Sequence, residues 1–284
     1  MKAELWASAF LRLVTSLWLS ILAAPFLASS AWAQDSARCV PRIQSVQVAK
    51  AAPQGPPPAK EALDWTSTTL PDSWKGRWPH YSGSAWYRLD LNLPCADTST
   101  ALTLNSIVMA GEVYINQDLL WRDTHLSEPL SRSWNMPRYW LLPPSTLHAG
   151  NNQVWIRVHG HSDDSASLGK VSIGEPRQMF AVFEQTWWSA RSVILIDITV
   201  SALICVLFGF AWLQNRSYHV FGWYALNSLF WALFLATALK TDAWPFSSSI
   251  DLSRANGLIY AAFAISFCIF VLWQIFLSGF KIYF

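Results

Sequence analysis

The chain has 284 residues, of which 13% are charged, 52% hydrophobic and 15% aromatic, and its formal net charge is +2. So small a charge, without a run of Lys or Arg, argues against a nucleic-acid-binding protein. The mean hydropathy of +0.23 is high for a purely soluble protein. Apolar residues concentrate in residues 1–33 and after Ser189. This distribution predicts a folded domain between two segments that are apolar enough to enter a membrane.

Residues 1–33 have the features of a secretory signal peptide. Lys2 and Arg12 are basic, residues 13–27 are mostly apolar, and Ala31-Trp32-Ala33 fits a small-x-small cleavage site. An uncleaved anchor helix is the alternative. Export of the region that follows would place it where disulfides can form.

Residues 34–61 are predicted to be a Pro-rich arm or linker. The run Ala-Ala-Pro-Gln-Gly-Pro-Pro-Pro-Ala favours extended polyproline conformation and blocks helix formation and strand pairing. Val46 and Val48 fit a short edge strand before this run.

Residues 62–177 predict an exported all-β domain organised around a strand at residues 84–93. Five apolar side chains alternate with mostly polar ones there and give the strand one face for a core: Ala85, Tyr87, Leu89, Leu91 and Leu93. Further short strands are predicted at residues 101–104, 112–115, 119–121, 154–158 and 171–173. Short strands separated by turn signals indicate a two-sheet sandwich or jelly roll.

Three motifs, at residues 83–94, 113–116 and 147–158, are similar to the galactose-binding-like jelly roll of glycoside hydrolase family 2. Residues 70–74 and 137–143 resemble more closely a bacterial receptor family. That family joins such a periplasmic domain to seven transmembrane helices and an intracellular histidine kinase or diguanylate cyclase. The resemblance implies a signal-transduction receptor of the bacterial cytoplasmic membrane, of the two-component type.

After a connector at residues 178–191, three hydrophobic spans are predicted at about residues 192–213, 220–239 and 257–280. Each is long enough to cross a hydrocarbon core of about 30 Å. An exported N-terminal domain places the end of the third span inside. The positive-inside rule adds little, with Arg216 and Lys281 inside and Arg191, Lys240 and Arg254 outside.

The chain departs from the receptor family because it has three spans and no output domain before Phe284. We therefore expect the sensory and membrane part of a receptor, truncated or fragmentary, without enzymatic activity. A membrane-anchored carbohydrate-binding or structural protein without signalling is the second hypothesis. An extracellular enzyme is the third.

Candidate ligand residues share the polar phase of two predicted strands: Trp86, Arg88, Trp155, Arg157 and His159. Tryptophan rings can stack on sugar rings, and Arg and His can bind hydroxyl groups. The alternative is that these side chains belong to the core or rim of the sandwich. The expected partners are membrane lipid and a small ligand, for which carbohydrate is one class; a homodimer is compatible, and no nucleic acid is expected.

No catalytic residue, metal or cofactor is expected. His159-x-His161 with Asp163 and Asp164 has the residue types of a metal site, but a solvated strand end explains them more simply. The exported acids show no spacing that singles out a hydrolase pair. Asp197 lies within the first span, where a buried acid is costly and often functional, although a hydrated position near the outer edge is equally compatible.

A disulfide is predicted between Cys39 and Cys95, the only cysteines in the exported region. It would tie the arm to the sandwich. Two independent thiols are the alternative. Cys205 and Cys268 lie within spans and are expected to be free.

Overall fold

The computed structural model describes residues 40–52, 55–58, 63–95, 99–162 and 166–280. The predicted signal peptide and Cys39 lie outside these residues. The described residues belong to one compact unit, Cys39–Phe284. It contains antiparallel β-sheets followed by long apolar helices, as the sequence predicts.

The described residues form eleven strands. They are β1 (Arg42–Ala51), β2 (Thr66–Ser67), β3 (Asp72–Ser73), β4 (Gly83–Leu93), β5 (Thr100–Leu104), β6 (Ala110–Ile115), β7 (Asp118–Arg122), β8 (Arg138–Leu142), β9 (Gly150–Gly160), β10 (Ser167–Leu168) and β11 (Val171–Gly174). The larger sheet has the order β2-β1-β4-β9-β6-β7, a smaller one the order β11-β5-β8, and β3 pairs with β10. A short helix, α1 (Trp74–Arg77), follows β3.

The core lies between the two larger sheets. The predicted alternation in β4 is confirmed, because Tyr87, Leu89 and Leu91 have no exposed surface. Both sheets contribute side chains to one apolar cluster, including Tyr87, Leu89, Val113, Ile156, Leu102, Leu104 and Leu142. Each fully buried aliphatic side chain of this size stabilises the fold by about 1.5–3 kcal/mol.

The predicted arm is shorter than expected, because residues 42–51 form β1. This strand pairs with β4 from Arg42 opposite Asn92 to Ala51 opposite Ser84. Val48 is completely buried, so β1 contributes to the core. Only Val46 and Val48 suggested a strand here, so the Pro-rich run that follows led to the prediction of an arm or linker.

Three helices are long and apolar enough to cross a membrane. The first is continuous with the β domain: α2 (Pro176–Trp187) passes through a π-helical turn (Trp188–Ser192) into α3 (Val193–Gln214). The others are α4 (His219–Leu239) and α5 (Ser249–Phe280). The predicted connector at residues 178–191 is therefore helical, and the third helix begins before the predicted Gly257.

Helix α2 holds the β domain against the first span. The ring centroid of Tyr139 on β8 lies 5.6 Å from that of Phe180 and 6.0 Å from that of Phe183. Edge-to-face and tilted pairs at such distances are favourable beyond simple area burial. The β domain and the first membrane helix thus share an aromatic contact.

Helix α4 packs against both α3 and α5. Asp197 of α3 accepts hydrogen bonds from Ser201 Oγ and from Trp231 Nε1 of α4, each at 3.2 Å. Ser266 Oγ of α5 donates to Asn227 Oδ1 of α4 at 3.2 Å. Asp197 therefore joins α3 to α4. The sequence suggested either a buried functional acid or a hydrated acid near the membrane edge, and neither hypothesis included a contact between helices.

A polar chain crosses one end of the β-domain core. Trp74 Nε1 donates to Tyr87 Oη at 2.9 Å, and the Tyr87 hydroxyl donates to Asp72 Oδ2 at 2.7 Å. Arg77 Nη2 pairs with the other oxygen of Asp72 at 2.8 Å. Burial and the Asp72 charge hold the pKa of Tyr87 above its ordinary value, so the hydroxyl stays protonated and can donate.

We expect Tyr87→Phe to lower the free energy of unfolding by about 1–3 kcal/mol, because it leaves Trp74 Nε1 and one Asp72 oxygen buried without a partner. Thermal unfolding of the full chain in detergent measures this change. Tyr218→Phe is the matched control, since Tyr218 is 57% exposed. Equal melting temperatures for the two variants would contradict the structural role of the chain.

Candidate functional site

Four of the five predicted ligand residues meet on the face of the larger sheet that points away from the core. The register of β4 and β9 places Trp86 opposite Arg157 and Arg88 opposite Trp155. Aromatic and guanidinium groups therefore alternate both across and along the two strands. The Arg157 guanidinium carbon lies 4.3 Å from the centre of the Trp86 ring.

Strand β6 extends this pattern with two residues that the sequence analysis did not select. Glu112 is opposite Arg157, and Tyr114 is opposite Trp155. Arg157 Nη1 donates to Glu112 Oε2 at 2.9 Å, and the Tyr114 ring lies 5.7 Å from the Trp86 ring. The period-2 phase of residues 110–115 was a signal for both. With Trp65, these residues make what we call the outer-face cluster: Trp65, Trp86, Arg88, Glu112, Tyr114, Trp155 and Arg157.

The sequence leaves open whether the five predicted ligand residues bind a ligand or belong to the core or rim of the sandwich. Each of the five is at most 5% exposed. The Pro-rich arm lies against Arg157, whose guanidinium donates a hydrogen bond to the Gly55 carbonyl. The Trp65 ring lies 5.7 Å from the Trp155 ring and 5.1 Å from the Arg88 guanidinium carbon.

Burial changes the electrostatics of the cluster. Desolvation lowers the pKa of Arg157, while the Glu112 charge opposes that shift. Desolvation also raises the pKa of Tyr114, and the nearby Glu112 charge adds to it. The cluster therefore places the Arg157–Glu112 ion pair beside a phenol, an arrangement that can both donate and accept hydrogen bonds.

His159, the fifth predicted residue, lies two residues beyond Arg157 on β9, opposite Ser84. Its Nδ1 is 2.9 Å from Ser84 Oγ. Desolvation, and secondly the Arg157 charge, lowers the pKa of His159 to about 4. The imidazole is therefore neutral at physiological pH.

A cleft of about 590 Å³ opens beside the cluster. Glu112, Tyr114, Arg122 and Arg157 line it from the sheet, and four residues of the segment 123–127 line it from the loop after β7. An aromatic ring, a carboxylate and two guanidinium groups suit a small ligand rich in hydroxyl groups, because such a ligand both donates and accepts hydrogen bonds.

The loop at residues 123–137 is anchored to the sheet by a buried carboxylate. Asp123 accepts hydrogen bonds from Ser133 Oγ at 2.5 Å and from the Gly111 backbone N–H at 2.9 Å. Arg138 Nη2 lies 3.4 Å from the same carboxylate. Burial raises the pKa of Asp123, an effect that the Arg138 charge opposes, and burial lowers the pKa of Arg138 to about 10.

The same loop grips the start of the third membrane helix through Glu128. Its carboxylate accepts hydrogen bonds from Ser249 Oγ at 2.6 Å and from the Ser249 backbone N–H at 3.1 Å. His161 Nε2 lies 2.6 Å from Oε1. Partial burial opposes ionisation, but these hydrogen bonds outweigh it and hold the pKa of Glu128 below its usual value.

An anion at this position is favourable because a helix N-terminus carries partial positive charge and free N–H groups. Ser248 and Asp251 also form reciprocal hydrogen bonds at this terminus, of 2.9 and 3.1 Å. This Ser-x-x-Asp pattern is a signal for a helix start, but the third helix was predicted from hydropathy alone, which placed its start at Gly257. No pattern in the sequence indicates that Glu128 would meet it, since the two lie 121 residues apart.

Further contacts join the loop to the other helices. The Arg132 backbone N–H donates to the Thr241 carbonyl at 2.8 Å. Asn135 Nδ2 donates to the Ala238 carbonyl at 3.3 Å, and Arg191 Nη1 donates to Asn135 Oδ1 at 3.4 Å. One loop therefore touches the first helix and the ends of the other two on the β-domain side.

The described residues do not assemble three His, Cys, Asp or Glu side chains into a metal site. His159 and His161 instead contact Ser84 and Glu128 respectively, and Asp163 and Asp164 lie outside the described residues. Cys95 takes part in a disulfide bond, and Cys205 and Cys268 are free. Because Cys39 lies outside the described residues, its pairing with Cys95 stays a prediction.

No family model and no curated protein matches the chain. The solved structures to which it is similar include glycoside hydrolases. A beta-glucuronidase of Faecalibacterium prausnitzii has a TM-score of 0.32 and 15% identity over 45% of this chain and 22% of that chain. A glycosyl hydrolase family 2 member from Bacteroides cellulosilyticus has a TM-score of 0.35 and 14% identity over 49% and 21%.

A calcium-binding mutant of Bacteroides uniformis beta-glucuronidase 2 has a TM-score of 0.33 and 21% identity, over 42% of this chain and 14% of that chain. The match thus spans less than a quarter of the length of each of these three enzymes.

The low pKa of His159 predicts an acid-sensitive β domain. An unfolded histidine takes up a proton near pH 6.5, whereas folded His159 resists protonation down to about pH 4. Stability present above pH 6.5 is therefore lost as the pH falls through this window, by at most about 3 kcal/mol. Chemical denaturation of the wild type and of His159→Gln at pH 7 and pH 4 measures it. We expect the free energy of unfolding to change less between pH 7 and pH 4 in the variant than in the wild type. An equal change in both proteins would refute the role of His159 in the acid sensitivity.

Proposed function

We propose that this chain is the sensory and membrane part of a receptor, in which the exported β domain binds a small polar ligand and the membrane helices relay the event. The observation that carries the proposal is the position of the loop at residues 123–137. It lines the 590 Å³ cleft at one end and holds Ser249, at the start of α5, through Glu128.

Carbohydrate is the ligand class that we favour. The cleft offers the Tyr114 ring, the Glu112 carboxylate, and the guanidinium groups of Arg122 and Arg157. Charged side chains form strong hydrogen bonds to sugar hydroxyls, and an aromatic ring covers the apolar face of a pyranose. Arg157 is already engaged by Glu112, which leaves the exposed Arg122 as the most accessible of these contacts.

The relay would be a shift between two packings of the helices. A ligand that contacts segment 123–127 would move the residues that immediately precede Glu128. Breaking or distorting the hydrogen bonds between Glu128 and Ser249 would change the stability of the first turn of α5. Asn135 and Arg191 would pass the same movement to the first helix.

The finer assignments rest on sequence motifs. We infer that the β domain is a galactose-binding-like jelly roll in the bacterial periplasm and that the helices lie in the cytoplasmic membrane. The output would be a histidine kinase or diguanylate cyclase outside the present sequence, and this chain itself would not be catalytic. A membrane-anchored carbohydrate-binding protein without signalling would share the cleft but would not need the loop-to-helix contacts.

The topology implied by this proposal can be tested directly. Alkaline phosphatase is active only after export, so fusion after Gly174 should give activity and fusion after Phe284 should not. The physical reason is that three helices long enough to span a membrane separate the two points. A β-galactosidase fusion, active only inside, is the reciprocal control. The reversed pattern would exclude an exported ligand-binding domain.

Ligand binding and relay can be separated in one experiment on the full chain in lipid nanodiscs. A thermal-shift screen of mono- and disaccharides identifies a ligand, and Arg122→Gln should weaken its binding at least tenfold, because hydrogen bonds to charged groups contribute about 1.5–3 kcal/mol. Arg42→Gln, an exposed change on β1, is the control. If Arg122→Gln and Arg42→Gln bind the sugar equally well, the sugar does not bind in the cleft.

Hydrogen exchange then measures the relay. The ligand should change exchange at residues 249–256 in the wild type, and Glu128→Gln should abolish that change while leaving affinity within about twofold, since Glu128 does not line the cleft. Glu184→Gln, an exposed change on α2, should leave the response intact. Tight binding without any change at α5 would favour the non-signalling alternative.

A further inference from the structure

The membrane helices enclose a groove at the end far from the β domain. Helices α3 and α4 line about 470 Å³, mostly with apolar side chains. Two glycines let α3 and α4 approach closely here. A Cβ on Gly222 would lie 3.1 Å from the Trp212 ring, and a Cβ on Gly209 would lie 3.9 Å from that of Ala225. The groove thus has the width and chemistry of a slot for a hydrocarbon chain.

Its place in the membrane follows from helix length. Helix α3 has 22 residues and is about 33 Å long, close to the thickness of the hydrocarbon core. It starts beside the β domain, where Arg191 contacts Asn135. The turn between α3 and α4, which adjoins the groove, therefore lies at the opposite membrane surface.

Two polar groups mark the mouth of the groove. The guanidinium carbon of Arg216 lies 4.0 Å from the centre of the Trp212 ring. The Trp212 Nε1 donor is buried and has no acceptor among the described residues. An exposed cation and a donor without an acceptor, both beside an apolar slot, are complementary to an anionic headgroup attached to an acyl chain.

We propose that this groove binds one anionic phospholipid. An acyl chain lies along the groove beside Gly209, the phosphate pairs with Arg216, and an ester or phosphate oxygen accepts the Trp212 Nε1–H. Zwitterionic lipids also fill the slot, but their headgroups gain less from Arg216. The proposal is independent of the ligand cleft, because it uses none of the β-domain residues.

Native mass spectrometry of the full chain in detergent tests the proposal, with phosphatidylglycerol and phosphatidylcholine of identical acyl chains as probes. The wild type should retain one phosphatidylglycerol in preference to phosphatidylcholine. Arg216→Gln should weaken phosphatidylglycerol binding about fivefold and leave phosphatidylcholine unchanged. Arg254→Gln is the control, because it removes one exposed positive charge at the β-domain side.

Gly209→Leu tests the groove itself, since its side chain would occupy the slot and reduce retention of both lipids. Cys205→Leu narrows the same groove if the first variant is not monodisperse. Equal retention of both lipids by the wild type overturns the proposal. So does full phosphatidylglycerol binding in Arg216→Gln, or in a folded groove-filling variant, because the cation and the slot would then not form one site.

Discussion

The carboxylate of Glu128 connects the two parts of this chain, the β domain and the membrane helices. It meets Ser249, a buried residue at the first turn of α5, where free N–H groups and the helix dipole favour an anion. The loop that presents Glu128 is itself fixed by Asp123, whose buried charge is matched by Arg138. Two carboxylates in one loop thus attach the third helix to the sheet.

The same loop explains why the cleft and the helices belong together. Segment 123–127 borders the cleft before the chain reaches Glu128, and Asn135 contacts the helices after it. Aromatic packing of Tyr139 against α2 provides a second, apolar attachment. The domain is therefore held on the bundle by one polar contact, between Glu128 and Ser249, and by one apolar contact, between Tyr139 and α2.

Local patterns were enough to predict much of the fold. Alternation at residues 84–93 correctly gave the strand and its core face, and hydropathy gave three helices close to their observed bounds. The prediction failed where the deciding contact was distant: β1 was assigned to the arm because its pairing with β4 is not visible in its own residues. The start of α5 was missed because its first turns are polar and only tertiary contacts bury Ser249 and Leu252.

Of the five predicted ligand residues, Arg157 lines the cleft and the other four do not, so the ligand role of the five stays a prediction. Period-2 phase brought Trp86, Arg88, Trp155 and Arg157 to one face, as expected from strand geometry. Their burial depends on Gly55 and Trp65, which reach them across the sheet. Glu128 was not predicted at all, since a lone acid in a loop carries no periodic signal and its partner lies far along the chain.

The π-helical turn at Trp188–Ser192 sets the angular relation between the β domain and the bundle. Such a turn accommodates one residue more than an α-helical turn, and one residue corresponds to about 100° of rotation. The face of α3 that carries Asp197 toward Trp231 is therefore offset by that angle from where an uninterrupted helix would put it. The insertion or loss of a single residue in this turn would rotate Asp197 away from α4 while leaving the aromatic contact of α2 in place.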